Sequence, residues 1–285
     1  MGIALGDNQY GKAETRLVRV DRDTGRHELT DLNVTVTLAG DLAETHLSGD
    51  NAHVLPTDTQ KNTVYAFAKR YGVGQIEEFA LRLARHFVDG QPPITRARVS
   101  IEEYAWRRLG PHSFERSTAE TRTATATYDG TGAGMVSGLA GLVLLNTTGS
   151  EFWGYARDEY TTLPETKDRI LATAVTARWR HAGVEADWAG SYAGAREAVV
   201  RAYAETHSRS LQQTLYAMGR RVLEDRPELV EVRLSLPNRH HLLVDLAPFG
   251  LENPNEVFVA ADRPYGLIEG TVLRDDAPPA GLAWW

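Results

Sequence analysis

The stretch LPTDTQKNTVYAFAK, residues Leu55–Lys69, predicts the beginning of a helix that lies between two predicted pairs of strands. Pro56 fixes the backbone where the helix begins, and Thr57 followed by Gln60 three residues later matches a capping box. The apolar side chains that follow recur at helical spacing, at Val64, Tyr65 and Ala68. We therefore expect a helix over residues 57–70.

The amino end of this helix carries three polar residues in a row, Thr57, Asp58 and Thr59. Free backbone N–H groups and a partial positive charge at this end favour an anionic ligand. A well-capped helix without any ligand explains the same residues, because helix caps are far commoner than binding sites. The stretch by itself leaves both interpretations open.

Alternating apolar and polar residues predict strands on both sides of this helix. The run LNVTVTL, residues 32–38, alternates as a half-buried strand does and forms a hairpin with residues 15–20. An apolar stripe over residues 76–87 predicts a second helix. The second strand pair is predicted at residues 98–102 and 121–128, and it is followed by the turn or linker YDGTGAG, 128–134.

The second half of the chain repeats this order of elements. Its strand-like runs are residues 142–145, 173–179, 230–236 and 242–246. Its helical stripes cover residues 192–203 and 211–222, and Ser208 or Ser210 caps the second of them. The repetition predicts an α+β fold made by internal duplication, with antiparallel sheets and helices on one face. We expect the two units to cover residues 1–130 and 131–285.

The composition is typical of a soluble globular protein, with 285 residues, 42% hydrophobic residues and 24% charged residues. The net charge of −7 argues against a general nucleic-acid binder, and no apolar run reaches the length of a membrane span. The chain has no cysteine, which excludes disulfides and thiolate chemistry. We see no secretory signal and expect a cytoplasmic protein. Among 31 Lys and Arg residues only four are Lys, and two of these, Lys61 and Lys69, lie in the opening stretch.

Several common site motifs are absent from the sequence. The sequence has no GxxxxGK[ST] phosphate loop, no GxGxxG after a predicted strand and no HExxH, so a nucleotide or metal site is weakly supported. Three segments hold unusual polar content: residues 8–16, 150–169 and 235–241. Taken singly, Arg169 reads as a solvated surface charge, His240 as an ordinary histidine and Gln212 as a helix former.

Taken together, six long motifs in these regions resemble urate oxidase (uricase), in register from about residue 8 to residue 272. The motifs are YGKAETR (10–16), TDTQKNTVY (57–65), GSEFWGYARDEYTTLPETKDRIL (149–171), SLQQTLYAMG (210–219), SLPNRHH (235–241) and NPNEVFVAADRPYGLIEGTV (253–272). The resemblance implies a tandem pair of T-fold units, a barrel closed by two chains and a homotetramer of two stacked barrels with a tunnel. The carboxyl end, LAWW, lacks the SKL-type peroxisomal signal of eukaryotic members.

The resemblance also implies a role for each site residue. Lys12, Thr57 and His240 match the proton relay. Positions matching the substrate site are Thr57, Asp58, Phe152, Leu163, Arg169, Leu211, Gln212 and Asn238. In the family, Lys12, Thr57, Asp58 and His240 come from one subunit and the other residues from its neighbour.

These residue types suit the implied chemistry, which uses urate and O2 and needs no cofactor or metal. Urate is a flat anion that Arg169 and Gln212 can hold by hydrogen bonds at its edge while Phe152 stacks on the ring. A threonine hydroxyl is a poor base, so it must pass the proton to a neutral amine or an imidazole. The doubly deprotonated urate then reduces O2 directly, which gives 5-hydroxyisourate and H2O2.

Two other functions are compatible with such a fold. A related T-fold enzyme acting on pterins or other purines would keep an acidic anchor, usually Glu, with metal or Cys chemistry nearby. A non-catalytic purine-binding protein would keep the clamp and lose the relay. The lack of Cys and of clustered His argues against the first, and the presence of Lys12, Thr57 and His240 argues against the second.

Overall fold

The computed structural model describes residues 2–285, apart from the side chain of Thr118. The chain packs as two compact units. The first runs to Gly138 and includes Trp179–Tyr192 and Ala277–Trp285, and the second consists of Leu139–Arg178 and Ala193–Asp276. The predicted division into T-fold units at residue 130 stays a prediction.

The regular elements follow the order expected from the duplication. The strands are β1 (Tyr10–Asp21), β2 (Glu28–Gly40), β3 (Ile94–Arg108), β4 (Phe114–Tyr128), β5 (Ala133–Asn146), β6 (Leu171–His181), β7 (Leu229–Leu243) and β8 (Phe258–Leu273). The helices are α1 (Ala43–Leu47), α2 (Thr57–Tyr71), α3 (Ile76–Gly90), α4 (Trp188–Glu205) and α5 (Leu211–Asp225), with a 3-10 turn at Ala247–Phe249. The α+β class, with a strand pair, helices and a second strand pair in each half, is confirmed. None of the described helices is long and apolar enough to cross a lipid bilayer.

The strands of the first unit lie in the order β1-β2-β3-β4, each antiparallel to its neighbour. The alternation of residues 32–38 explains the burial of β2, whose apolar side chains Leu32, Val34, Val36 and Leu38 are at most 1% exposed. Helix α3 packs on β3 and β4, and its side chains Phe79, Leu83 and Phe87 are fully buried. One face of this sheet is therefore the core face, and the polar residues of the strands lie on the other.

The strands of the second half of the chain lie in the order β5-β6-β7-β8, with β7 and β8 antiparallel. Helix α5 packs on these two strands, and its side chains Met218 and Val222 are fully buried, as are Val232 and Leu236 of β7. The first turn of α5 and residues 147–170, the long connection between β5 and β6, hold five of the ten predicted site residues.

The expected return strand at residues 242–246 is wrong. Leu242 and Leu243 continue β7, and the strand that returns beside it is β8. The chain leaves β7 there because a loop is fixed by the side chain of Asn253, whose amide donates to the carbonyl of Val244 at 2.9 Å and accepts from the N–H of Val257 at 3.0 Å. The alternation of apolar residues continues past the end of the strand, which explains the error.

Candidate active site

Lys12 lies in the first unit at a β-bulge. It pairs with Val36 of β2, and the regular pairing resumes only at Thr15. Glu14, inside the bulge, has φ of 55° and donates its N–H to the hydroxyl of Thr35 at 3.0 Å. Bulges bend a strand and redirect its side chains, and they are common beside active sites.

Gly11 makes the approach of β1 to β2 possible at this point. A Cβ atom at residue 11 would lie 1.9 Å from the carbonyl oxygen of Val36, which is too short for any non-bonded contact. The residue before Lys12 must therefore be glycine for this pairing to form. Lys12 itself is half-buried and takes part in no ion pair within residues 2–285.

Thr57 is the first residue of α2, and the predicted capping box is wrong. The position before the helix is Pro56, without a side-chain cap, and the amide of the fully buried Gln60 donates instead to the carbonyl of Leu55 at 3.3 Å. Tyr10 of β1 donates to the same carbonyl at 3.0 Å. Within the described part of the chain, the hydroxyl of Thr57 forms no hydrogen bond, so it is available for a ligand.

Asp58 lies beside Lys12 at the same end of α2. Its carboxylate pairs with Lys61 and accepts from the amide of Asn62 at 2.9 Å. The hydrogen bond from Lys61 is the main cause that lowers the pKa of Asp58, and the charge of Lys12 contributes to the shift. The first unit thus brings Lys12, Thr57 and Asp58 together where β1 meets α2.

Arg169 lies in the second unit against an aromatic ring. Its guanidinium carbon is 5.2 Å from the centre of the Phe152 ring, and its Nε donates to the hydroxyl of Ser150 at 3.3 Å. Burial lowers the pKa of Arg169. Among residues 2–285 no carboxylate pairs with it, and its two terminal nitrogens have no hydrogen-bond partner. A half-buried arginine of this kind is suited to an anion.

Phe152, the aromatic partner of Arg169, is fixed by contacts with Thr166 and Tyr155. Phe152 exchanges two backbone hydrogen bonds with Thr166, at 2.8 and 3.0 Å. Its ring stacks on that of Tyr155, with centroids 4.8 Å apart and planes 18° apart. The hydroxyl of Tyr155 in turn donates to the carbonyl of Leu163, whose side chain is exposed. These contacts bring Phe152, Leu163 and Arg169 together.

The first turn of α5 lies beside this group. Ser210 caps the helix by accepting from the N–H of Gln213 at 3.2 Å, which decides between the two predicted caps. Leu211 is buried, and Gln212 is exposed with no hydrogen bond from its amide in the described part of the chain. The helix is attached to the connection 147–170 because Ser208 pairs with Ser150.

Asn238 and His240 lie near the end of β7, both half-buried in the second unit. Asn238 pairs with Gly266 and His240 with Ala261, so β8 carries an irregularity over residues 262–265 opposite them. Of the predicted site residues, the second unit therefore holds seven, which are Phe152, Leu163, Arg169, Leu211, Gln212, Asn238 and His240. The other three, Lys12, Thr57 and Asp58, belong to the first unit.

The family is decided by comparison of the sequence with known proteins. The family model described as Uricase matches residues 8–130 and 135–269. A uricase of Arthrobacter globiformis is 56% identical over 284 residues, which is 99% of this chain and 94% of the relative. A uricase of Dictyostelium discoideum is 38% identical over 280 residues, covering 95% of this chain and 97% of the relative. The chain belongs to the uricase family.

Solved uricase structures share the fold of this chain. The crystal structure of uricase from Arthrobacter globiformis matches with a TM-score of 0.95 and 55% identity, over 98% of this chain and 97% of that one. A urate oxidase from Bacillus sp. TB-90 matches with a TM-score of 0.81 and 27% identity, over 94% and 100%. The antiparallel sheet with helices predicted here is therefore the fold of the uricase family.

Sequence reasoning missed several residues that support the site of this uricase-family chain. They are Ser150, Glu151, Tyr155, His207, Ser208 and Thr214. Glu151, for example, accepts from the ring of Trp153 and contacts the imidazole of His207 at 2.5 Å, and these two bonds lower its pKa. The polar content of residues 150–169 was a signal, but it gave no indication that the partner of Glu151 would be His207, 56 positions later. No three His, Asp or Glu side chains among the described residues are grouped as a metal site would require.

Proposed function

We propose that this chain is a cofactor-independent urate oxidase, a factor-independent urate hydroxylase of purine degradation. It would convert urate, O2 and water to 5-hydroxyisourate and H2O2. The observation that carries the proposal is Arg169, a half-buried cation whose guanidinium carbon lies 5.2 Å from the centre of the Phe152 ring and whose terminal nitrogens are unpaired within residues 2–285. A flat anion that stacks on Phe152 would present its edge to those nitrogens.

The clamp of this site is formed by Arg169 and Gln212. The arginine provides planar, charge-assisted donors, and the free amide of Gln212 offers one donor and one acceptor to the ring edge. Leu163 and Leu211 add apolar contacts to the urate ring. Asn238, with Thr57, would line the space for O2 or water above the ring.

The relay of Lys12, Thr57 and His240 would remove a proton from the urate monoanion. Thr57 would act as the carrier: its hydroxyl gives its own proton to Lys12 or to His240 and takes the proton of urate in exchange. The unpartnered hydroxyl of Thr57 and the absence of an ion pair at Lys12 among the described residues support this role. Asp58, which already accepts from Lys61 and Asn62, would orient the same helix end.

The urate dianion would then give two electrons to O2 directly. O2 bonds through one oxygen atom to the ring carbon, and its outer oxygen takes back the proton held by the relay, which gives a hydroperoxide. Water then replaces the hydroperoxide group at this carbon: its hydroxyl stays on the ring and its other proton leaves with the hydroperoxide group as H2O2. Atoms balance, since one urate, one O2 and one water give one 5-hydroxyisourate and one H2O2. Each step uses only side chains named above, and the electrons come from the substrate.

We also propose a homotetramer with active sites shared between subunits. Lys12, Thr57, Asp58 and His240 would come from one subunit, and the clamp from its neighbour, in a barrel closed by two chains. Exposed apolar side chains on the outermost strand of each unit support assembly, Val18 on β1 and Val259 and Leu267 on β8, at 54–58% exposure. The tandem T-fold units at 1–130 and 131–285 and a cytoplasmic location remain part of this proposal.

A single assay tests the reaction. Purified protein mixed with urate in air should bleach the ultraviolet band of urate and release one H2O2 per urate consumed. The rate should be unchanged after treatment with EDTA. Loss of the activity on chelation would assign the chemistry to a metal, and unbleached urate would refute the proposed function.

A further inference from the structure

We propose that three buried hydroxyls, those of Ser150, Ser208 and Thr214, are positioning residues for the urate clamp. They link Arg169 to the first turn of α5 and so set the separation of the guanidinium from Gln212. The inference rests on the proposed function, because it assigns a role within that site.

The first link joins Arg169 to Ser150. The Nε atom of Arg169 donates to the Ser150 hydroxyl at 3.3 Å, and Ser150 is fully buried. A guanidinium group is planar and its five N–H bonds have fixed directions. Because this bond holds the Nε atom and the group is planar, it restricts the directions in which the two terminal nitrogens can donate.

The second link joins Ser150 to Ser208, which is 58 residues further along the chain. The two residues form a parallel bridge. The N–H of Ser208 donates to the carbonyl of Gly149 at 2.9 Å, and the N–H of Glu151 donates to the carbonyl of Ser208 at 2.7 Å. These backbone bonds fix Ser150 and Ser208 side by side, and Ser208 is itself only 1% exposed.

The third link joins Ser208 to α5. The fully buried Thr214 donates from its hydroxyl to that of Ser208 at 2.8 Å, and Ser208 donates in turn to the carbonyl of Ser210 at 3.0 Å. The Thr214 hydroxyl also lies 3.3 Å from the carbonyl of Ser210, so the hydroxyls of Ser208 and Thr214 both contact the residue just before α5. Because Ser210 caps α5, these bonds fix the turn that carries Gln212.

Packing alone does not explain three hydroxyls in this place. A buried hydroxyl costs free energy unless it is hydrogen-bonded, and an apolar side chain of similar volume packs without that cost. What the hydroxyls add is direction, since each bond fixes an angle as well as a distance. A binding site whose ligand is held at two points needs such support, because its groups must be held to within about half an ångström.

The test separates positioning from folding with an isosteric pair of variants. Thr214→Val keeps the shape and removes the hydroxyl, whereas Thr214→Ser keeps the hydroxyl. Ser150→Ala removes the acceptor of Arg169 and serves if Thr214→Val fails to fold. Thr173→Val is the matched control, because Thr173 is also fully buried in the second unit and its hydroxyl has no partner among the described residues.

We expect Thr214→Val and Ser150→Ala to weaken urate binding roughly fivefold to tenfold, measured by calorimetry without O2, while kcat stays within about twofold. Thr214→Ser should bind urate as the unmodified protein does, and so should Thr173→Val. Unchanged binding in both hydroxyl-deleting variants would overturn the inference, and so would an equal loss in Thr173→Val. Failure of the unmodified protein to oxidise urate is a different result, because it refutes the proposed function and is seen before any variant is made.

Discussion

The guanidinium carbon of Arg169 lies 5.2 Å from the centre of the Phe152 ring, and its Nε donates to Ser150 in place of a carboxylate. The chain carries 38 Asp and Glu residues, so acidic partners are plentiful elsewhere. A half-buried cation that none of the described carboxylates neutralises keeps its charge for a ligand. This arrangement explains why an anion that is also flat fits the site.

Arg169→Lys should lose most of the affinity for urate although the positive charge remains. Lysine lacks the planar fork and cannot donate both to Ser150 and to the ligand edge. We expect a loss of about 1–3 kcal/mol of binding free energy, measured as the Kd of urate without O2. Arg220→Lys is the control, since Arg220 lies on the exposed side of α5 and pairs with Glu224. Equal Kd values for the two variants would contradict the role of the guanidinium.

Gly11→Ala should disturb the bulge that carries Lys12. The new Cβ would lie 1.9 Å from the carbonyl oxygen of Val36, so β1 must move away from β2. We expect a loss of about 1–3 kcal/mol of unfolding free energy and a lower kcat. The control is Gly25→Ala in the β1–β2 turn, where a Cβ meets nothing within 4 Å. Both quantities can be measured by urea unfolding and by urate bleaching, and a fully active Gly11→Ala would show that the bulge is not needed.

Much of the fold could be predicted from local patterns. The alternation over residues 32–38 predicts β2, and the stripe over residues 76–87 predicts α3, because each pattern has the period of its element. The start of α2 was predicted correctly, but not its cap. Gln60 matched the capping pattern, yet its side chain is fully buried by tertiary packing. Its amide nitrogen therefore donates to the carbonyl of Leu55 and not to the helix end.

The site was less accessible to sequence reasoning from residue patterns, because its contacts are long-range. Ser150 and Ser208 are distant in the chain and neither belongs to a periodic run, so their pairing follows only from the fold. The same holds for Arg169, which reads as a surface charge until Phe152 and Ser150 are placed beside it. The resemblance to a family assigned Arg169 and Phe152 beforehand, but it did not assign Ser150 or Ser208.

Arg122→Met should destabilise the first unit strongly. Arg122 donates to Glu77 at 2.7 Å, and the fully buried Glu77 also accepts from Ser137 at 2.7 Å. Removal of the arginine leaves a buried carboxylate without its counter-ion, which costs about 3–5 kcal/mol of unfolding free energy. The exposed Arg107 pairs with Glu115, and we expect Arg107→Met to cost less than about 1 kcal/mol in the same urea titration. Similar costs for the two variants would show that the Glu77 carboxylate does not depend on Arg122.

Lys12→Arg should be as inactive as Lys12→Met, although it keeps the charge. The proposed relay needs a group that can be neutral and accept the proton from Thr57, and a guanidinium remains protonated in proteins. Both variants should lower kcat by a factor of about 100–10,000, while the urate Kd changes little because the clamp residues are intact. Lys69→Arg, at an exposed position near the end of α2, provides the control and should keep full activity. If Lys12→Arg retained the activity of the unmodified protein, the charge of residue 12 and not its proton transfer would support the reaction, and the relay would have to be assigned to Thr57 and His240 alone.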